Sequence, residues 1–158
     1  MGPPFRLVCS LSLLVAVAGC SNLKTYPNTA DKNLQVQTKL SGSFLTGVEA
    51  FLHIHRLKDS CSGDYLGTVE LKNGLTQVGI APGQPTYLAF AFNTSARLGG
   101  SFGTTSYTTI LTPRAGGQYT ADVSYADRIY NVSIREVGPR GAPGRELERR
   151  TRDCPKTE

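Results

Sequence analysis

From residue 34 to residue 137 the chain keeps returning to one pattern: a short stretch in which apolar and polar side chains alternate, followed by a turn signal. Alternation with period two puts every second side chain on the same face of an extended backbone, so each stretch reads as a strand with one buried and one wet face. Leu34–Leu40 is the plainest case, with Leu34, Val36 and Leu40 opposed by Gln35, Gln37 and Lys39. Residues 48–57 repeat it through Val48, Ala50, Leu52 and Ile54, and residues 65–71 through Gly67, Val69 and Leu71. Lys72-Asn73-Gly74 turns the chain, Asn-Gly being the strongest short hairpin signal, and residues 75–80 return. After Pro82-Gly83-Gln84-Pro85, residues 86–92 are apolar on both faces, which predicts a central strand. Residues 93–103 are polar and glycine-rich and predict a long loop. Strands over 104–111, 119–125 and 129–137 complete the series, separated by a turn at 113–117 and by Ala126-Asp127-Arg128.

Strands of this kind, with no amphipathic helix among them, must bury their apolar faces against one another. The predicted fold is all-β, an antiparallel β-sandwich of seven to eight strands, with a barrel as the alternative. Composition fits that reading: at 39% hydrophobic the chain is too apolar for disorder, and 158 residues suit one domain.

Residues 1–19 have another character. Arg6 is their only charge, and the apolar run from Leu7 to Ala18 holds 12 residues. That is short for a bilayer needing ~20 helical residues and suits the core of an export signal. The run ends in Val17-Ala18-Gly19-Cys20. Small residues before a Cys, directly after such a core, resemble the lipobox of bacterial lipoproteins. The resemblance implies cleavage before Cys20, a diacylglycerol on its sulfur and an acylated amino group. Ser21, standing where an Asp would retain such a protein in the inner membrane, implies sorting to the outer membrane on its periplasmic side, with surface exposure left open. Several acyl chains exceed the two signals that stable anchoring needs. The expected organisation is a signal peptide over 1–19, a lipidated tether over 20–33, the sandwich over 34–137 and a basic tail over 138–158.

Cys9 leaves with the leader and Cys20 carries lipid, so Cys61 and Cys154 remain. An oxidising periplasm favours their pairing as a disulfide; the alternative is two separate thiols. Loss of Arg6 leaves 16 basic and 12 acidic residues. About half of that excess lies in the tail, where the signs are interspersed as on a solvated segment. No nucleic-acid partner is expected of an exported protein. Within the tail, residues 138–144 form a Gly/Pro hinge. Glu146–Arg150 and Glu148–Arg152 are i,i+4 pairs that could support one or two helical turns.

Two turns share a signature: Pro82-Gly83 leads into Tyr87, and Gly116-Gly117 leads into Tyr119. A glycine turn before an aromatic strand start resembles the transthyretin-like (prealbumin-like) sandwich domains of bacterial surface lipoproteins. The resemblance covers residues 34–137, implies the fold and carries no function across.

Candidate chemistry is sparse. His53 and His55 lie two apart in a strand and so share a face with Glu49 and Phe51. They could offer two imidazoles to one metal, but no third ligand is apparent, and the expectation is two polar residues on a solvent face with no metal and no cofactor. Gly99-Gly100-Ser101-Phe102-Gly103 matches the spelling of a nucleophile elbow without the strand before it or the helix after it. No paired acids or complete nucleophile set is visible, so the chain is expected not to be an enzyme. The expected role is binding of a protein or envelope component, with metal handling or a cell-wall or glycan-acting enzyme as rivals. The expected binding surface is the loop at 93–103, where Arg97, Leu98 and Phe102 stand among flexible glycines.

Overall fold

The computed structural model describes residues 23–42, 46–58, 62–96, 103–138, 141–142 and 144–151. Among them are eight strands: β1 Leu34–Leu40, β2 Thr46–Leu57, β3 Gly63–Leu71, β4 Gly74–Val78, β5 Thr86–Ala96, β6 Gly103–Leu111, β7 Tyr119–Ala126 and β8 Ile129–Glu136. They form two four-stranded sheets, one ordered β4-β1-β7-β8 and the other β3-β2-β5-β6. The all-β sandwich that the alternation predicts is the fold, with β5 central as expected.

The inner faces supply one core. Leu34 and Val36 of β1, Leu52 and Ile54 of β2, and Leu88, Phe90 and Phe92 of β5 are all 0% exposed. At one end of the sandwich Phe92 stacks on Tyr125 at 5.7 Å and on Tyr130 at 5.4 Å. Every strand pair is antiparallel except one: β1 lies parallel to β7 over seven registered residues, Leu34↔Tyr119 to Leu40↔Tyr125. The reason is one of connection. β6 finishes at the end of the sandwich where β1 starts, so β7 sets out beside β1 in the same direction.

Both open sides of the sandwich are crossed by chain from outside the strands. On one side, the Tyr26 N–H donates to the Thr68 carbonyl (2.9 Å) and the Thr68 N–H to the Lys24 carbonyl (2.8 Å), at the edge of β3. The Tyr26 hydroxyl then reaches the Gly79 carbonyl beyond β4 at 2.7 Å. Asn28 accepts from the Gly79 N–H at 2.7 Å. The buried Asn33 amide closes on Ile80 in both directions, at 2.8 and 2.9 Å. This close approach depends on Gly67, where a Cβ would lie 2.6 Å from the Tyr26 Cα. The stretch expected to be a free tether is thus hydrogen-bonded to the domain from Lys24 onward.

On the other side, Glu146 forms an antiparallel bridge with Arg135 of β8, and the Leu147 N–H donates to the Ile134 carbonyl at 2.7 Å. Leu147 packs against the core. The chain then moves to β6, where the Ile110 N–H donates to the Arg150 carbonyl at 3.0 Å and the Arg149 guanidinium sits 4.8 Å above the Tyr107 ring. The helical turns expected at 146–152 are therefore not formed over the described part of that range, since residues 144–151 are non-helical; Arg152 lies outside the described residues. The edges of β8 and β6 offer unpaired backbone groups. Two i,i+4 pairs, worth ~0.3–0.5 kcal/mol each, cannot compete with those bonds.

The expected loop at 93–103 is also shorter. Asn93–Ala96 continue β5 and Gly103 opens β6, with Asn93 registered to Thr104 and Thr94 to Gly103. Side-chain bonds from Thr94 to the Gly103 carbonyl (3.2 Å) and from Thr104 to the Asn93 amide oxygen (3.0 Å) hold this extension. The connection itself is 97–102.

Candidate functional site

The outer faces of the two sheets differ. On the β4-β1-β7-β8 sheet the outward side chains are Gln35, Gln37, Lys39, Thr120, Asp122, Ser124, Asn131, Ser133 and Arg135, with Leu75 near one edge and Ile129 at the β7–β8 turn as separate large apolar groups. On the β3-β2-β5-β6 sheet the outward positions of β2 are Glu49, Phe51, His53 and His55, and those of β5 are Tyr87, Ala89, Ala91 and Asn93. Tyr65, Thr68 and Glu70 of β3 flank β2.

The result is a ladder of half-buried rings. Phe51 and His53 are 6.4 Å apart and stacked, His53 and Tyr65 6.4 Å, His55 and Tyr65 5.1 Å, and His55 and Tyr87 5.7 Å edge to face. Beside the ladder, β5 presents only the small side chains of Ala89 and Ala91, registered to Thr108 and Ser106 of β6.

His53 and His55 do share a face, as their spacing predicts. They are half-buried members of this ladder and not simple solvent-facing residues. His53 Nδ1 lies 2.6 Å from the Thr68 hydroxyl, and Thr68 in turn lies 2.5 Å from the Tyr65 hydroxyl. Tyr65 donates weakly to the Lys24 carbonyl at 3.4 Å, linking the network to the N-terminal segment. Burial disfavours the imidazolium and lowers the His53 pKa from its ordinary value of 6.5. Among the described residues no group of three His, Cys, Asp or Glu side chains is placed to hold a metal ion.

Tyr65 could not have been assigned to this face by phase alone. Alternation puts it with Gly67, Val69 and Leu71, on the inner side. A bulge intervenes: Ile54 is registered to Gly67 and His55 to Tyr65, so Leu66 is the extra residue and Tyr65 changes face. Gly67, at φ +145°, accommodates the distortion. Tyr87 enters through the cross-strand register, which a single sequence does not contain.

A second concavity, an open trough of about 660 Å³, lies between the β6–β7 turn and the segment after β8. Its Arg114 is paired with Glu136. Several of its backbone donors are spent within the loops, among them the N–H groups of Gly117, Val137, Gly138 and Gly141. It offers little to a ligand that water does not.

Cys20, Cys61, Cys154, Arg97, Leu98 and Phe102 lie outside the described residues. The flanks of the 97–102 connection belong to the end of the sandwich opposite the β2–β3 connection, since Thr46 is registered to Ala96 and Leu57 to Gly63. Comparison with known proteins finds no family model, no curated protein and no solved structure that matches the chain.

Proposed function

We propose that this chain is a lipid-anchored β-sandwich of the bacterial outer membrane, facing the periplasm, that acts by binding an envelope component and not by catalysis. The carrying observation is the contrast between the two outer faces: one largely polar, with only the isolated aliphatic groups Leu75 and Ile129, the other a continuous ladder of Phe51, His53, His55, Tyr65 and Tyr87. Rings that present an apolar face and a polar edge are the side chains most often used to hold a partner on an open surface. The Cys20 lipid rests on the lipobox resemblance. Arg97, Leu98 and Phe102 remain proposed binding residues beside this face.

The Cys61–Cys154 disulfide is supported by the neighbours of both residues. Lys58 and Ser62 are hydrogen-bonded across the β2–β3 connection. That connection is at the same end of the sheet as Leu111, through the register Arg56↔Thr86↔Leu111. Arg150 lies beside Ile110. Three strand spacings, ~14 Å, separate Arg150 from β2, and four residues of chain can span a similar distance, ~14 Å.

The test has two parts. Cys20→Ala should remove the acyl mass and shift the protein out of the membrane fraction; retention at the wild-type mass would overturn the anchor. Photocrosslinking from positions 51 and 87 in intact envelopes should give adducts, while positions 35 and 122 on the polar face should not. Adducts from the polar face alone would overturn the assignment of the binding face. A metal-handling role draws on the shared face of His53 and His55; stoichiometric zinc, copper or nickel lost in a His53→Ala, His55→Ala variant would favour it.

A further inference from the structure

The N-terminal segment is docked from Lys24, and its carbonyl is held by the Thr68 N–H and by Tyr65. Cys20 is four residues upstream. Fully extended, four residues reach ~14 Å, against a headgroup layer ~5–8 Å deep. A lipid on Cys20 therefore brings this corner of the sandwich close to the bilayer, where an undocked tether of fourteen residues (20–33) would have let the domain range freely.

The corner has the composition of a membrane-interface surface. Tyr65 and Tyr87 flank His55, their rings 5.1 and 5.7 Å from its own. Lys24 is exposed where its carbonyl meets Tyr65, and Arg56 and Lys58, which alternate to the other side of β2 from His55, are exposed at the same end of the sheet. Asp64, the one acidic group joined to them among the described residues, is bonded to Lys58 at 2.8 Å, and the Lys58 ammonium holds its carboxyl below the usual range. Leu23, the residue on the lipid side of Lys24, is 46% exposed. Amphipathic rings flanked by Lys and Arg are the side chains that settle at headgroup depth. The far end of the molecule, at the β7–β8 turn, offers instead Asp127 and Arg128 around Ile129.

We infer that the Tyr65–His55–Tyr87 corner, with Lys24, Arg56 and Lys58, lies against the anionic headgroup surface of the membrane in which Cys20 is anchored. This rests on the proposed lipid anchor and names the partner of this part of the binding face. The domain then lies on the bilayer by this corner, with the Ala96 end of β5 and the Gly103 start of β6 at the opposite end of the sheet.

The chain has no Trp, so single-Trp variants of the full lipidated protein report position. In vesicles of phosphatidylethanolamine and phosphatidylglycerol carrying brominated acyl chains, Tyr65→Trp and Tyr87→Trp should be strongly quenched and Ile129→Trp weakly. Two reporters guard against one that misfolds. Reversing Arg56 and Lys58 to Glu should lower the ratio of apposed to free orientation roughly fivefold or more for each cation, and high salt should act in the same direction. A photoreactive phenylalanine at position 87 in intact envelopes should label lipid. Acylated protein with equal quenching at positions 65, 87 and 129, or a protein or glycan adduct in place of lipid at position 87, would overturn the inference and leave the anchor standing. Absence of acyl chains on Cys20 would overturn both.

Discussion

The two terminal segments solve the same problem with different chemistry. Each crosses an open side of the sandwich and covers an edge strand on both sheets. The N-terminal one is held largely by side chains, with Tyr26, Asn28 and Asn33 reaching backbone groups around β4. The C-terminal one is held by backbone pairing with β8 and then β6, by Leu147 in the core and by Arg149 over Tyr107. Backbone pairing is indifferent to sequence, whereas capture by Asn and Tyr depends on individual residues. The N-terminal segment should therefore be the more easily undone by point substitution, and the C-terminal segment by loss of the proposed Cys61–Cys154 bond or of its close contacts.

The largest expected effect tests that proposed bond. Reducing the Cys61–Cys154 pair should cost about 4–5 kcal/mol, the loop-entropy value for some ninety residues. It should loosen the Arg150 end first, read as faster amide exchange at Ile110. Two free thiols before reduction would remove the bond from the comparison.

Next come the two glycines beneath the segments. A Cβ at Gly144 would lie 1.2 Å from the Glu136 carbonyl oxygen, and one at Gly67 would lie 2.6 Å from the Tyr26 backbone. Ala at either should cost ~2–4 kcal/mol, since backbone and not a side-chain tip must move. Gly67→Ala should deprotect the Thr68 amide and leave Leu147 protected, with Gly144→Ala giving the reverse. Parallel loss at both sites would mean that the two segments act as one unit.

Asn33→Ala strands the N–H and carbonyl of buried Ile80 and should cost about 2 kcal/mol in chemical denaturation. Arg149→Ala removes one cation–π contact and should cost only ~0.5–1 kcal/mol. If Arg149→Ala costs more than Asn33→Ala, the proposed division between side-chain and backbone holding is wrong.

The smallest effect is on pH dependence. The His53 pKa is lowered by burial, so the folded state binds fewer protons than the unfolded chain below pH 6.5. Stability should be full above that value and decline as pH falls through the lowered folded pKa. His53→Gln should flatten this part of the profile, and an unchanged slope would place its origin elsewhere.

Most strands were legible because each carries its own alternation, as in β1, where Leu34, Val36 and Thr38 are buried and their neighbours exposed. What escaped notice has no alternation of its own. Asn93–Ala96 are polar or small on both faces and become strand through pairing with Thr46–Glu49 on one side and, for Asn93 and Thr94, with Thr104 and Gly103 on the other. Each terminal segment inserts a single anchor, Tyr26 or Leu147, which sets no period. In the candidate site, the shared face of His53 and His55 could be read from spacing. Tyr65 was hidden by the bulge at Leu66, and Tyr87 by a register that local sequence does not encode.

The docked N-terminal segment also has a mechanical meaning. In an anchored protein any pull between partner and membrane enters the domain at Lys24. The bonds at Thr68, Gly79 and Ile80 are few and can fail one at a time, freeing ten residues, roughly 33 Å of chain at full extension. β1 comes next in line, but it is bonded along both sides, to β4 and β7, and is loaded lengthwise so that its bonds must shear together. Under load the segment would pay out as slack before the sandwich yields, giving a short-leashed domain a reserve of reach.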